Sequence, residues 1–325
     1  MAAAPPCVSS SRGRPGLTEP QPGVVRYLTG PELTGERLDR AAAALTGLPR
    51  RRARALAQEG RLWLNGNATR VLSRTLRVGD VLDVIASGET LLAPRPTPPE
   101  VAVLFEDPWV VAVDKPPGMI TQPGRERRPG ELTAQERVLF QLALRDGRRP
   151  EVLLFHRLDR LTSGILVFAR THEAARGLAA AWGSGRAHKT YVAVVIGEPR
   201  HPVEVVEAPI GADPLSPGRQ RVSSRGRPAI SEIRALSTSG RFAVVEVRPR
   251  TGRTHQVRVH LAHVGLPVAG DVLYGGARTV PRPFLHAWRL AVPHPAARRQ
   301  LRLEAPLPAD MQAFLTEHGL SVERA

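Results

Sequence analysis

Residues 155–164 read Phe-His-Arg-Leu-Asp-Arg-Leu-Thr-Ser-Gly, a polar run between the apolar segments VLLF (152–155) and ILVFA (165–169). The apolar segments predict buried strands, so the run predicts a loop at a sheet edge, where functional side chains commonly lie. Asp159 is the only acid in this region, and an arginine lies on each side of it. Those arginines favour the ionised carboxylate, which suits a nucleophile or a general base. The alternative is a carboxylate whose ion pair only stabilises the loop.

A second polar segment, RTGRTHQVRVH, covers residues 250–260 and leads into helical spacing. Gly252 allows a tight turn, and Thr254 can cap the helix that follows. A helix N-terminus preceded by arginines favours phosphate binding, and Arg253 and Arg258 are the candidates for that contact. The alternative is a solvated basic helix face.

The histidines of this second segment do not predict a metal site. Their spacing places His260 and His263 near one helix face but turns His255 away, and no acid lies among them. The single cysteine, Cys7, excludes a disulfide framework and a multi-cysteine zinc or iron–sulfur site. We therefore expect no metal.

Only two of the 46 basic residues are lysines, Lys115 and Lys189. In the strand pattern KTYVA, Lys189 and Tyr191 share a face, and a ring beside a cation suits base stacking. The alternative is a core tyrosine with a satisfied hydroxyl. Lys115 lies in VDKPPG (113–118), a strand that ends in a rigid turn. Because the chain otherwise uses arginine, we expect an ammonium group to be required at both positions.

Composition and periodicity divide the chain into four parts. Residues 1–28 predict a disordered tail, and residues 29–88 a small domain of two short helices and a sheet. Residues 89–100 contain four prolines and predict a linker. Residues 101–325 mix strand and helix patterns irregularly, which indicates a domain of the α+β class. Its sheet is expected to be mixed and mostly antiparallel, with helices and loops on its faces.

Two details of these parts are also predicted. The small domain should contain a strand that turns at Asn65-Gly66 and two more strands around Gly79-Asp80. In the large domain, the basic, glycine- and proline-rich segment 213–228 is expected to be a mobile loop that clamps a nucleic acid.

The formal net charge of +16 favours a polyanionic partner, nucleic acid before an acidic membrane surface. GC-rich coding explains much of the preference for arginine over lysine, but not the shortage of acids. No run of 18 apolar residues exists, and the start of the chain lacks the apolar segment of a secretory signal. We therefore expect a cytoplasmic protein with no membrane association.

Four segments together resemble the RluA-type pseudouridine synthases: DKPPG (114–118), HRLDRLTSG (156–164), KTYVA (189–193) and TGRTHQVRVH (251–260). Their order and separations make the resemblance specific, although any one of them alone is weak. Residues 34–88 are similar to a small αL-type RNA-binding module first known from a ribosomal small-subunit protein. The resemblance implies isomerisation of uridine to pseudouridine in RNA, with no cofactor.

The resemblance also implies roles for individual residues. Asp159 matches the essential aspartate, Arg258 the arginine that pairs with it, and Tyr191 the tyrosine that packs against the target base and is a candidate to help remove the C5 proton. Arg157 is expected to fill the space left by the extruded base, and Arg253 to contact a phosphate. The remaining residues expected to bind RNA are Lys189, Lys115, Arg51, Arg52 and Arg54.

Ribosomal RNA of the large subunit is the expected substrate, because the attached module and the high charge favour a large structured RNA. Transfer RNA is the alternative substrate. A non-catalytic RNA-binding or ribosome-assembly factor is the alternative class, which the joint presence of Asp159, Tyr191 and Arg258 argues against. A hydrolase with two carboxylates lacks a second acid near Asp159 in sequence. No required protein partner is evident.

Overall fold

Two units make up the fold of this chain in a computed structural model that describes residues 23–96, 98–124, 127–128 and 130–323. The first comprises the described residues of Met1–Thr97 together with Leu139–Pro150. The second comprises those of Pro98–Val138 and Glu151–Ala325. The predicted domain boundaries at 88 and 100 stay predictions.

The first unit packs two short helices against a four-stranded antiparallel sheet. The strands pair in the order β1-β4-β2-β3, so the first strand lies at one edge. Leu38 of the first helix, Leu56 of the second and Leu82 of the sheet are fully buried in one apolar core. The elements are β1 (Val24–Leu28), a 3-10 turn (Pro31–Leu33), α1 (Leu38–Thr46), α2 (Arg50–Gln58), β2 (Leu62–Leu64), β3 (Asn67–Ala68) and β4 (Val81–Ile85).

The two helices and the Asn65-Gly66 turn confirm the sequence prediction. Both turn residues have positive φ angles, 52° and 75°, as a tight hairpin requires. Two expectations were wrong. Val24–Leu28, assigned to a disordered tail, form β1, because alternation buries Tyr27 against the core. Of the two strands expected around Gly79-Asp80, only β4 forms, and Thr75 makes one isolated bridge to Arg37.

The start of the predicted linker is attached to the first unit. Leu91 packs on its core, and the backbone N–H of Leu92 donates to the carbonyl of Thr46. The described residues of 89–100 form neither helix nor strand. Residues 1–22 of the predicted tail lie outside the described residues.

The second unit is built on one large sheet. Eight of its ten strands follow the order β10-β13-β14-β9-β15-β8-β6-β5, while β16 pairs with β15 and β7 with β8. Its elements are β5 (Ala102–Glu106), β6 (Val110–Lys115), α3 (Ala134–Asp146, whose end belongs to the first unit), β7 (Leu153–Leu154), β8 (Ser163–Ala169), α4 (His172–Gly183), β9 (His188–Ile196), β10 (Val203–Glu207), β11 (Ile210–Ala212), β12 (Gln220–Val222), β13 (Ile230–Ser239), β14 (Phe242–Pro249), α5 (Gln256–His263), a 3-10 turn (Val272–Tyr274), β15 (Leu285–Pro293), β16 (Gln300–Glu304) and α6 (Ala309–Glu317).

Only the β8–β15 pair of this sheet is parallel, which confirms the mixed, mostly antiparallel sheet of an α+β fold. The central strand β9 is buried on both faces. Val192 and Val194 pack in the cluster that contains α6, whereas Ala193 and Val195 pack in the cluster that contains α5. Because alternate residues share a face, Tyr191 lies on the α5 side. The described chain contains no helix that is long and apolar enough to cross a membrane.

The sequence predicted a mobile loop over residues 213–228, but this segment contains a strand. Residues 220–222 form β12, which pairs antiparallel with β11 in a separate two-stranded sheet. The backbone N–H of Gln220 also donates to the hydroxyl of Tyr274 at 2.9 Å. The segment therefore has a defined attachment to the rest of the unit.

Acid is expected to destabilise the fold through His286, which is fully buried on β15 with Nδ1 3.0 Å from the Ser163 hydroxyl. Burial lowers the pKa of His286 from 6.5 to about 4. The unfolded chain therefore binds this proton more readily, so the residue's stabilising contribution is present above pH 6.5 and lost as the pH falls towards 4. We expect a loss of about 2–3 kcal/mol in unfolding free energy from this group.

Denaturant unfolding of the wild type and of His286→Gln, between pH 7 and pH 4.5, measures this effect. Gln retains hydrogen-bonding capacity but does not titrate, so its stability should fall less steeply. Parallel curves for the two proteins would contradict the assignment.

Candidate active site

The loop that carries Asp159 is held by the DKPPG turn. The ammonium of Lys115, which ends β6, donates to the carbonyls of Pro116, Met119 and Arg160 at 3.0, 2.9 and 3.0 Å. The backbone N–H of Gly118 donates to the Arg160 carbonyl as well, at 2.8 Å. Two sequence motifs that lie about 40 residues apart thus bind the same ammonium group through their backbone carbonyls. This contact fixes the segment that follows Asp159.

Gly164 allows this loop to enter the sheet. Its φ of 106° is unfavourable for residues with a side chain, and a Cβ there would lie 2.2 Å from the carbonyl oxygen of Ala287. The close approach comes from the parallel pairing of β8 with β15. A glycine is therefore required where the polar run becomes a strand.

Asp159 is paired by Arg258 and not by the arginines that flank it. Arg258 Nη1 lies 3.2 Å from Asp159 Oδ2, whereas the Arg160 guanidinium pairs with Glu131. The other nitrogens of Arg258, Nε and Nη2, donate to Asp271 at 2.6 and 2.8 Å. Burial opposes the charge of Arg258, yet the carboxylates, Asp271 foremost, raise its pKa overall. One buried guanidinium therefore bridges two carboxylates.

The start of α5 places Arg258 and its neighbour His255. The sequence predicted Thr254 as the cap, but His255 precedes the helix and no side chain caps it. Gln256 fixes the turn instead, because its Oε1 accepts from Thr251 Oγ1 and from the Arg253 backbone at 2.8 and 3.0 Å. His255 takes a left-handed backbone conformation with φ of 57°.

Asp159 lines a cavity of about 310 Å³. One wall is aromatic and consists of Phe155, His156 and Trp182, with the His156 and Trp182 rings 4.5 Å apart. Burial, with a smaller contribution from Lys189, lowers the pKa of His156 to about 3. His156 is therefore neutral near pH 7, and its Nε2 accepts from the Val167 backbone at 2.9 Å. The cavity thus combines an aromatic wall with one carboxylate.

Tyr191 and Lys189 line the same cavity from β9. Burial and the charge of Asp159 raise the pKa of Tyr191, so its hydroxyl stays protonated. Burial lowers the pKa of Lys189 to about 8, and its ammonium donates to the Thr251 carbonyl at 3.2 Å and lies 6.0 Å from the Trp182 ring centre. The shared strand face expected of these two residues fits this placement.

The other residues expected to contact RNA divide into two groups. Arg157 is exposed and Arg253 partly exposed at the cavity, and Arg253 Nε donates to the Pro228 carbonyl. In the first unit, Arg51 is exposed, whereas Arg52 pairs with glutamates and Arg54 with Asp39. The first group lies beside Asp159, and only Arg51 of the second has no ion pair within the described chain.

The expectation that Lys115 contacts RNA is wrong. The residue is fully buried, and all three of its ammonium protons have carbonyl acceptors. The sequence correctly singled out an ammonium, but for a structural reason. Three carbonyls converging on one point match the three donors of a lysine better than the planar fork of an arginine.

Replacing Lys115 by Met should lower the unfolding free energy by about 2–4 kcal/mol, because buried carbonyls lose their donor. Denaturant unfolding at neutral pH measures the change. Arg289→Met is the control, because it removes an exposed cation from another part of the sheet. Equal midpoints for the two variants would contradict the role of Lys115 as a buried donor.

Sequence reasoning missed three residues of the site. Asp271 and Tyr274 lie in GDVLYG (270–275), and Trp182 lies at the end of α4. Asp271 carries the same signal that identified Asp159, since it is the only acid between Glu246 and Glu304. The aromatic wall has no comparable signal, because residues 155 and 182 meet only through the fold.

The expectation of no metal site concerned the histidines of α5. Both ring nitrogens of His260 are engaged, by Ser231 Oγ and the Ala208 carbonyl, at 2.9 Å each. Within the described ranges, no cluster of three His, Cys, Asp or Glu side chains could hold a metal ion.

Comparison with known proteins identifies the family. The family model described as RNA pseudouridylate synthase matches residues 109–263, which include Asp159, Tyr191 and Arg258. An RNA pseudouridine synthase of Chloroflexus aurantiacus is 37% identical over 95% of this chain and 97% of its own length. The ribosomal large subunit pseudouridine synthase D of Xanthomonas campestris is 32% identical over 92% and 94%.

A solved structure agrees with these relatives. Human RNA pseudouridylate synthase domain containing 4 superposes with a TM-score of 0.58 at 25% identity, over 69% of this chain and 95% of that one. Two relatives thus align along nearly their whole length, and the structure supports the fold. The chain belongs to the RNA pseudouridine synthase family and is an isomerase that acts on RNA, as its four motifs predicted.

Proposed function

We propose that this enzyme isomerises specific uridines of large-subunit ribosomal RNA to pseudouridine, with Asp159 as the essential carboxylate. The catalytic part of this proposal rests on the cavity of about 310 Å³. Asp159, its partner Arg258 and Tyr191 meet there from three distant segments. The substrate part is supported by the ribosomal large subunit named in the Xanthomonas campestris relative.

In the reaction, the C1′–N1 bond of uridine breaks, the uracil turns over, and C5 bonds to C1′. C5 then loses its proton and N1 gains one, so the product is an isomer of the substrate. Arg258 holds the Asp159 carboxylate beside the cavity, where it either attacks C1′ or removes a ribose proton. Tyr191 keeps its proton because its pKa is raised, which supports packing against the uracil over action as a phenolate base. The aromatic wall and Tyr191 provide an apolar enclosure for the turning base.

A uridine in structured RNA must leave its stack to reach this cavity, at a cost of a few kcal/mol. Arg157, exposed at the cavity, is placed to occupy the vacated space. Arg253 and Lys189 are placed to contact the neighbouring phosphates, which offsets the cost of extrusion.

The first unit is proposed to bind RNA through Arg51. Arg51→Ala should lower the magnitude of the slope of log affinity against log salt by about one, because one phosphate contact is lost. Arg52→Ala is the matched control, since Arg52 is already paired with Glu59 and Glu89. Binding titrations at several salt concentrations measure the slopes. A larger change for Arg52 than for Arg51 would contradict the proposal.

Substrate choice is tested by mapping pseudouridine in both RNA classes. The purified chain is incubated with unmodified large-subunit ribosomal RNA and with unmodified transfer RNA, and modified positions are mapped by reverse transcription after carbodiimide treatment. Pseudouridine in ribosomal RNA alone supports the proposal. Modification of transfer RNA alone would overturn the assignment of ribosomal RNA as the substrate. RNA binding without modification of either class would overturn the catalytic assignment.

A further inference from the structure

His255 is a partly buried imidazole that faces Asp159 and has no role in the reaction described above. Its Nε2 lies 3.7 Å from Asp159 Oδ2, and its Nδ1 lies 2.7 Å from the Tyr274 hydroxyl. The His255 and Tyr274 rings meet edge to face at 5.7 Å. The imidazole therefore lies between a carboxylate and a phenol.

The backbone conformation that places this ring is strained. A residue other than glycine in the left-handed region is strained. Such strain persists only where the surroundings fix the conformation, and it concentrates at functional sites. Here the φ is 57°, and the hydrogen bonds of Gln256 hold the preceding turn. This strained conformation therefore places the imidazole of His255 beside Asp159.

The Tyr274 hydroxyl determines which nitrogen of His255 carries the proton. Tyr274 is buried, and its hydroxyl already accepts the Gln220 backbone N–H at 2.9 Å. Burial raises the pKa of Tyr274, so the hydroxyl keeps its proton and needs an acceptor. Within the described chain, His255 Nδ1 is the only acceptor that reaches it. Nδ1 therefore accepts, and the imidazole proton lies on Nε2, which faces Asp159.

Burial keeps the imidazole of His255 neutral near pH 7. Burial lowers the pKa of His255, and the charge of Arg258 and, more weakly, Arg157 acts in the same direction. The charges of Asp159 and Asp271 oppose this without reversing it. His255 is therefore a neutral N–H donor, with one proton available to the carboxylate.

Two donors then converge on the same oxygen of Asp159. Arg258 Nη1 and His255 Nε2 both face Oδ2, and no donor in the described ranges reaches Oδ1. The longer of the two distances, 3.7 Å, can shorten when substrate fills the cavity, as catalytic hydrogen bonds often do. The two oxygens of the carboxylate are thus unequal before any substrate binds.

We propose that His255 is a positioning residue that acts through Asp159. With its proton kept on Nε2 by Tyr274, it joins Arg258 in holding Oδ2 and leaves Oδ1 to act on the ribose. This inference rests on the proposed function of Asp159. To that function it adds Oδ1 as the oxygen that reacts and His255 as a second residue, besides Arg258, that orients the carboxylate.

The test compares two His255 variants. His255→Asn keeps a residue that tolerates the left-handed backbone, but its amide is too short to reach Asp159. It should lower the single-turnover rate about 10- to 100-fold, the effect of losing a hydrogen bond to a charged group. RNA affinity should not change. The pH dependence of the rate should also differ from that of the wild type.

His255→Gln restores an N–H at the approximate position of Nε2, so part of the rate and the wild-type pH profile should return. His263→Asn is the matched control on the same helix, where the histidine is exposed, and should behave as the wild type. A wild-type rate and pH profile for His255→Asn would overturn the inference. So would equal losses for Asn and Gln accompanied by lower thermal stability, since that marks a purely structural residue.

The tautomer is tested separately from activity. Nitrogen-15 NMR of histidine-labelled protein reports which ring nitrogen bears the proton, and Nε2–H is the expected form. In Tyr274→Phe, the Nδ1–H form should appear and the rate should fall about two- to tenfold. Nδ1–H in the wild type would overturn the inference. An active Asp159→Asn variant, by contrast, would overturn the proposed function.

Discussion

We expect Asp159→Asn to abolish pseudouridine formation. The single-turnover rate should fall by a factor of about 10⁴ or more. Asparagine keeps the shape of the side chain but can neither attack C1′ nor accept a ribose proton. The rest of the site should persist, because Arg258 retains its two hydrogen bonds to Asp271. RNA affinity should therefore stay near the wild-type value.

The measurement pairs a single-turnover assay of pseudouridine formation with an RNA-binding titration. Glu304→Gln is the matched control, because it makes the same change of charge at an exposed ion pair with Arg289, away from the cavity. Loss of binding along with activity would show that the Asn variant perturbs the site broadly. A wild-type rate would contradict the assignment of Asp159 as the essential carboxylate.

The sequence identified the proposed reacting group, Asp159, but not its environment. Asp159 could be found as a lone acid between strands, and Tyr191 from its position beside a rare lysine. The partner of Asp159 could not be found by proximity, because Arg258 lies 99 residues away along the chain, whereas Arg160, the adjacent candidate, pairs with Glu131. The resemblance to a family, and not local charge, supplied the correct pair.

The fold was predictable where its patterns were long. β8 and the start of β9 were expected from the strand patterns ILVFA and KTYVA and form as expected. The sequence did not predict the short strands whose pairing depends on the fold. β12 has three residues and exists through its pairing with β11, and β1 through its pairing with β4. Short strands gain most of their stability from tertiary packing, so local patterns detect them poorly.

Arg258→Met is expected to lower both stability and activity, because this guanidinium bridges two carboxylates. The Asp271 side chain is almost fully buried, so removal of its partner leaves an uncompensated charge. Loss of one partner of a buried ion pair costs about 3–5 kcal/mol, and we expect unfolding free energy to fall by that amount. Asp159 loses its pair at the same time, so the rate should fall as well.

A second substitution separates these two effects. Arg258→Met combined with Asp271→Leu removes the stranded charge, and a buried ion pair replaced by apolar groups of similar size is often no less stable. The double variant should therefore regain most of the unfolding free energy, measured by denaturant titration. Its activity should stay low, because nothing holds Asp159 in place. Recovery of activity together with stability would mean that Arg258 serves only the fold, whereas stability without activity would assign it to Asp159.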